Sequence, residues 1–235
     1  MKFDIKPLFS ICLLLSCGAC SIPRQATIAG YTTDKLLYSD SFEKLSANWV
    51  IESPQSKNPK IYANENKLVI DVAAGTTVWL NKKLSGNYLL QYTRKVIIDN
   101  GKNDRLSDFN QFWMATDPKN PNLFTRTGIF EEYDSLSMYY VGMGGNTNTT
   151  TRFRKYWGDG KKPLLQEYLD KEHLLQPNKD YLITLVVKDG LSEFYVDGEK
   201  YFSYQDTNPL TEGYFGFRTT WSRQEIKDFK IYSLK

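Results

Sequence analysis

The chain has 235 residues, with 30 Lys and Arg against 27 Asp and Glu, a net charge of +3. That balance argues against a nucleic-acid-binding protein, whose basic residues would be in large excess, so no nucleic-acid partner is expected. The three cysteines are Cys12, Cys17 and Cys20, so the body of the chain holds neither a disulfide framework nor a thiolate metal site.

In chain order, Lys2 and Lys6 precede an apolar run over residues 8–15 that is too short to span a bilayer as a mature helix. The run ends in Leu14-Leu15-Ser16-Cys17, which resembles the lipobox of bacterial lipoproteins, where a peptidase cuts before a cysteine that is then acylated. The resemblance implies a lipoprotein signal peptide over residues 1–16 and lipidation at Cys17, with Cys20 as a second candidate. An ordinary secretory signal with incidental cysteines is the competing reading. The expected location is the bacterial cell envelope, periplasmic or outer surface, with membrane contact through the lipid anchor only. Residues 17–35 read as a tether, because 21–34 show no periodicity.

From residue 36 to 235 the pattern is one of short strands punctuated by turn residues. The expected strands are 36–42, 49–52, 60–63, 67–72, 76–80, 88–98, 110–115, 126–133, 136–141, 149–157, 181–188, 191–196, 200–204, 214–219 and 226–234. Asp197-Gly198 between alternating runs is a two-residue hairpin signal. Residues 164–175 are either one helix or a strand followed by a helical turn. Many strands without alternating helices predict a single all-β domain of two packed antiparallel sheets, expected to act as a monomer.

The most distinctive stretch is Tyr133 to Trp157, YDSLSMYYVGMGGNTNTTTRFRKYW. Alternation puts Thr150, Arg152, Arg154 and Tyr156 on one strand face and Thr151, Phe153, Lys155 and Trp157 on the other. Paired guanidiniums beside tyrosines suit an anionic, hydroxyl-rich ligand; a solvated face of Arg–carboxylate pairs is the equal alternative. In Tyr214-Phe215-Gly216-Phe217-Arg218 the phenylalanines read as core, Gly216 leaves room above the sheet, and Arg218 points outward or pairs with Asp108 or Asp134. Asp104, Asp108 and Asn110 sit in a loop and offer oxygens for a structural Ca²⁺, although the spacing is not an EF-hand and loop capping is the stronger expectation. No other cofactor and no further metal are expected. Trp113, Trp157 and Trp221 are candidate stacking platforms, with burial the default. The single histidine, His173, lies in a charged loop and reads as a surface residue.

The order of features is itself informative. Asp40-Ser41-Phe42 precedes Asn48-Trp49; then come Asn66-Lys67-Leu68-Val69-Ile70, Phe194-Tyr195-Val196-Asp197-Gly198, Gly213-Tyr214-Phe215-Gly216-Phe217-Arg218 and a closing Ile226-to-Ile231 strand. This resembles the concanavalin A-like lectin/glucanase jelly roll and, within it, the YesU-like secreted domains found beside pectin and rhamnogalacturonan degradation systems. The resemblance implies a jelly-roll sandwich over residues 36–235 whose concave sheet holds a polysaccharide or oligosaccharide. Hydrolases of this fold carry Glu-x-Asp-x-x-Glu or Glu-x-Asp-x-Glu on one strand. Here Glu132-Tyr133-Asp134 supplies the first half and the second glutamate is missing. A polysaccharide lyase acting on a uronate-containing glycan is therefore favoured, although the characteristic alginate-lyase strands are also absent. In that reading Arg126, Arg152, Arg154 and Arg218 neutralise the uronate, and Tyr139 or Tyr140 is base or acid. Asp104 and Asp134 orient the arginines, while Asn110, Trp113 and Tyr214 bind substrate. The rivals are a hydrolase using Asp134 with Glu132 or Asp108, and a non-catalytic glycan-binding module.

Overall fold

The computed structural model describes Met1 and residues 26–235; Cys17, Cys20 and the expected signal peptide lie outside the described residues. Fourteen strands follow in order: β1 (Thr27–Ile28), β2 (Tyr31–Asp40), β3 (Trp49–Glu52), β4 (Lys60–Asn64), β5 (Lys67–Ser85), β6 (Tyr88–Val96), β7 (Phe109–Thr116), β8 (Ser137–Gly144), β9 (Thr150–Trp157), β10 (Leu164–Tyr168), β11 (Tyr181–Lys188), β12 (Leu191–Val196), β13 (Glu199–Gln205) and β14 (Glu212–Leu234). Every pairing is antiparallel, and the strands form a nearly closed jelly-roll sandwich, as the sequence predicts.

Two long strands, β5 and β14, pass through both layers. The first half of β14 lies between β7 and β5, in a front sheet ordered β10-β9-β8-β7-β14-β5-β3. Its second half pairs with β6 and β2, in a back sheet that continues through β11, β12 and β13. The corner falls where the β14–β5 register shifts between Thr220 and Ser222, with Trp221 at φ 46° and Gly75 opposite Thr220. A bulge of this kind bends a strand without ending it. Residues 67–72 and 76–80 therefore belong to one strand, as do 214–219 and 226–234. At the other end of the chain, β2 begins inside the stretch assigned to the tether: Thr33 pairs with Leu234, and the Tyr31 hydroxyl donates to Glu193 at 2.8 Å. Residues 164–175 resolve as β10 followed by a 3-10 turn at Lys171–His173.

Alternation sorts each front strand into an inner and an outer face. Val78, Trp113, Tyr139, Val141, Phe153, Phe215 and Phe217 point inward and meet Tyr92, Ile183, Leu185, Phe194 and Phe229 from the back sheet. Tyr92 stands edge-on to Phe217 at 4.9 Å between ring centroids, a favoured aromatic geometry. Each such buried side chain contributes roughly 1.5–3 kcal/mol of transfer free energy. Outward from the same strands project Tyr140 and Gly142 of β8, Arg152, Arg154 and Tyr156 of β9, Arg218 of β14, and Trp79 of β5. The segment from Asp117 to Leu136 folds across this outer face and seats Leu123, Tyr133 and Leu136 against Trp79 and Phe112. The strand expected over 126–133 is instead an irregular loop ending in a 3-10 turn, Phe130–Ser135. Its aromatic residues satisfy a second small core and have no neighbouring strand to join. Glu132 and Asp134 consequently do not share a strand face.

Gly216 sits directly beneath the Trp79 indole, and a Cβ there would collide with the ring. Gly216→Ala is expected to cost about 1–3 kcal/mol through overpacking. A lower denaturant midpoint at unchanged m-value checks this; an unshifted midpoint contradicts the packing account.

Candidate functional site

The outer face of β8 and β9 builds a depression of about 220 Å³, bordered by Phe130, Tyr140, Arg152, Arg154, Tyr156 and Lys162. Register explains the grouping: Gly142 pairs with Arg152, and Tyr140 with Arg154. Arg152, Arg154 and Tyr156 therefore follow one another along one face of β9, with Tyr140 beside Arg154.

The charges are not equivalent. Arg152 Nε donates to Glu167 of β10 at 3.0 Å, and Lys162 Nζ donates to both oxygens of Asp134 at 2.7 and 2.6 Å. Arg154 Nη1 donates to the Lys162 carbonyl at 2.8 Å, and among the described residues no carboxylate lies within ion-pair distance of its guanidinium. Two neutralised pairs and one uncompensated cation leave the hollow positive. The Tyr140 hydroxyl donates to Asn110 Oδ1 at 2.8 Å, and Asn110 Nδ2 donates on to Asp108. Asp108 also accepts from Thr219 Oγ1 at 3.3 Å and from the Thr220 amide at 3.2 Å. Burial, then the Asp108 carboxylate and Tyr156, push the Tyr140 hydroxyl well above the usual phenol range, outweighing Arg218 and Arg154. Tyr140 keeps its proton. Gly142 lies under this contact, where a Cβ would come within 2.6 Å of Asn110 Oδ1.

Several residues expected in one site are elsewhere. Tyr139 and Tyr140 point to opposite faces because they are adjacent in a strand. The Tyr139 hydroxyl donates to Asp206 at 2.5 Å, which also receives Lys155 Nζ at 2.6 Å. Trp113 is fully buried between the sheets, stacked on Tyr139 and Phe153, and offers no platform. Arg126 is consumed internally: it pairs with Asp117 at 2.6 Å and donates to the Glu132 and Leu123 carbonyls. Asp134 serves Lys162 and orients no arginine. Asp104 accepts from the Asp99 and Gly101 amides and pairs with Arg223, away from Asp108 and Asn110, so the Ca²⁺ oxygens do not converge. Tyr214 borders a separate hollow of about 390 Å³ beyond the 117–136 segment, its ring edge-on to Phe124. Trp157 and Trp221 are exposed. His173 stacks on Tyr168 at 3.6 Å and is bound by Asp170.

Arg218 lies on the outer face but is buried. Its Nη1 donates to Thr77 Oγ1 at 3.1 Å, and its guanidinium carbon lies 4.8 Å from the Phe130 ring and 4.9 Å from the Tyr133 ring. The expected ion pair with Asp108 or Asp134 does not form. Burial pulls its pKa below the usual guanidinium range. Phe130, Lys162 and Glu167 were not identified from the sequence. Tyr156 was visible as a face-mate of Arg154, whereas the other three reach the site only through tertiary packing.

Residues 70–229 match the family described as Domain of unknown function (DUF6250). No curated protein matches the sequence. Among solved structures, the chain is similar to a Bacillus subtilis protein of unknown function with a galectin-like fold, at 19% identity and TM-score 0.70, covering 87% of this chain and 98% of that one. It is also similar to an endo-β-1,3-glucanase from Pyrococcus furiosus, at 11% identity and TM-score 0.63 over 91% and 99% of the two chains. A carbohydrate-binding module, CBM66 from Bacillus subtilis, aligns at 12% identity and TM-score 0.55 over 79% and 96%. At these identities the likeness establishes the fold.

The Arg126–Asp117 pair holds the segment that walls one side of the depression. Burial pulls the Asp117 carboxyl upward, but hydrogen bonds from Arg126 and the Lys119 amide outweigh it and leave the pKa below the usual value. With the folded pKa depressed, the pair's stabilisation is complete above the unfolded carboxylate pKa and is lost as pH falls through the folded one. Asp117→Asn is expected to cost about 3–5 kcal/mol at neutral pH. Its deficit against wild type should shrink as pH drops from about 5 toward 3. Urea melts across that range test it, and a pH-independent deficit refutes it.

Proposed function

We propose that this chain, which belongs to the DUF6250 family, binds an anionic, uronate-containing glycan in the depression on the outer face of β8 and β9. The observation that carries the reading is Arg154: a half-buried guanidinium at the hollow, between Tyr140 and Tyr156, with no carboxylate of its own. A carboxylate on a sugar would supply the missing partner, and the half-buried Tyr140 ring offers a surface to its apolar face, whereas Tyr156 is fully buried. That a glucanase and a carbohydrate-binding module share the fold supports a glycan ligand. The carboxylates beside the hollow, Asp134 and Glu167, are each engaged by a cation, which weighs against hydrolysis by a carboxylate pair.

A second reading is β-elimination, favoured by the Tyr140–Asn110–Asp108 chain. Tyr140 would protonate the leaving oxygen while Arg154 holds the uronate. The elevated pKa of Tyr140 fits an acid and not the base that removes the C5 proton, so binding is the less demanding reading.

Calorimetry with oligogalacturonides separates these outcomes. Arg154→Ala should weaken binding roughly tenfold or more, as expected for loss of a charge-assisted contact. Tyr140→Phe should leave affinity nearly intact. Release of products absorbing as unsaturated uronates, abolished in Tyr140→Phe, would establish the lyase; reducing ends without that absorbance would establish a hydrolase. Unchanged affinity in Arg154→Ala sinks the proposed site.

The address of the protein follows from Leu14-Leu15-Ser16-Cys17. We place it at the cell envelope, anchored through Cys17. Incorporation of labelled palmitate that vanishes in Cys17→Ser supports this assignment, incorporation that persists in that variant moves the anchor to another residue such as Cys20, and no incorporation in the wild type discards it.

A further inference from the structure

Among the described residues, the fold treats two fully buried arginines, Arg94 and Arg218, differently. Arg94 is complete: Nε donates to Gln224 Oε1 at 2.8 Å, Nη1 to the Asn110 carbonyl at 2.9 Å and Nη2 to the Arg218 carbonyl at 2.9 Å. Arg218, 1% exposed, has a single hydrogen bond, to Thr77, and its buried Nε meets no acceptor. No carboxylate among the described residues lies within ion-pair distance. Asp108 acts on it only through space, its oxygens being taken by Thr219, Thr220 and Asn110. A desolvated guanidinium with a single acceptor is costly to bury, and the Arg94 arrangement shows that this sandwich can satisfy one with neutral groups. Arg218 is therefore short of an anion.

Phe130 is common to Arg218 and the depression. The Phe130 ring lies 4.8 Å from the Arg218 guanidinium carbon and also lines the hollow, 6.1 Å from Tyr140. The other neighbouring ring, Tyr133, is locked by its hydroxyl bond to Glu52 at 2.7 Å. Phe130 has no such tie. It is half-buried, begins the 3-10 turn and follows Ile129, which is exposed.

The geometry points to Arg218 as a concealed subsite for the carboxylate of a uronate residue, reached from the Arg154 depression when Phe130 rotates aside. The inference rests on the acidic-glycan reading and deepens it: Arg154 receives the ligand at the rim, and Arg218 selects for charge behind the aromatic cover. Its planar fork suits bidentate capture of a carboxylate, and desolvation strengthens that contact.

The test is arginine Nε–H NMR on the full chain carrying ¹⁵N-labelled arginine, with the Arg218 signal assigned through Arg218→Lys. Oligogalacturonide should shift the Arg218 signal and slow its exchange with solvent, whereas the carboxyl-reduced oligosaccharide should not. Arg218→Gln should lower affinity for the acidic ligand at least about tenfold and leave that for the reduced ligand unchanged. Phe130→Ala should speed association of the acidic ligand alone. Should Arg218→Gln fail to fold, the wild-type signal decides. Oligogalacturonide binding that Arg154→Ala weakens, with the Arg218 signal unmoved, overturns the subsite and leaves the surface site standing. A response to a sulfated oligosaccharide and not to oligogalacturonide overturns the carboxylate assignment. No binding of any acidic oligosaccharide removes both.

Discussion

The buried carboxylate of Glu52 governs the functional face of this protein. From the edge strand β3 it accepts hydrogen bonds from Trp79 Nε1 at 2.7 Å, the Tyr133 hydroxyl at 2.7 Å and the Arg126 amide at 2.8 Å. These three donors belong to the sheet, the 3-10 turn and the loop before it, so one side chain fastens the 117–136 segment to the outer face of the front sheet. Arg126 completes the arrangement by tying Asp117 to the Glu132 and Leu123 carbonyls. The segment converts an open concave sheet into a short hollow over β8 and β9. The concealment of Arg218 by Phe130 follows from that coverage.

Charge pairing then decides which groups face outward. A carboxylate neutralises Arg126, Arg152 and Lys162 in turn, and Glu52 is saturated by donors. What survives this cancellation is Arg154 at the rim and Arg218 beneath Phe130, both on the outer face of one sheet. Exposed ion pairs contribute little to stability, so the Arg152–Glu167 pair serves mainly to position a guanidinium that can exchange partners. The uncompensated pair of charges is what distinguishes this surface from a solvated sheet face.

Much of the fold was legible because period-two alternation and turn residues are local. Tyr181–Lys188, Leu191–Val196 and the Asp197-Gly198 hairpin stand where expected. The continuity of β5 and β14 was not legible, since a bulge at Trp221 and the small residues near Gly75 look like strand ends when only neighbours in sequence are considered. The 126–133 stretch carries strand-like apolar and aromatic residues, yet those residues fill a second core over Trp79, a choice made by tertiary partners. Within the site, alternation correctly joined Arg152, Arg154 and Tyr156. It could not choose between Tyr139 and Tyr140 without knowing which face was inward, nor foresee that Asp117 would claim Arg126.

The same reasoning bears on catalysis. A lyase must leave its base free to accept a proton, and a hydrolase must leave one carboxylate free to attack or activate water. Here the phenol paired across the strands with the free arginine already donates to Asn110, and its burial beside Asp108 opposes ionisation. The nearby carboxylates are held by Arg152 and Lys162. Ligand entry can displace an exposed ion pair at little cost, whereas it cannot easily ionise Tyr140 within a hydrogen-bonded chain. An anion arriving at Arg154 would find its counter-charge already in place, whereas proton abstraction would first need a carboxylate released from Arg152 or Lys162.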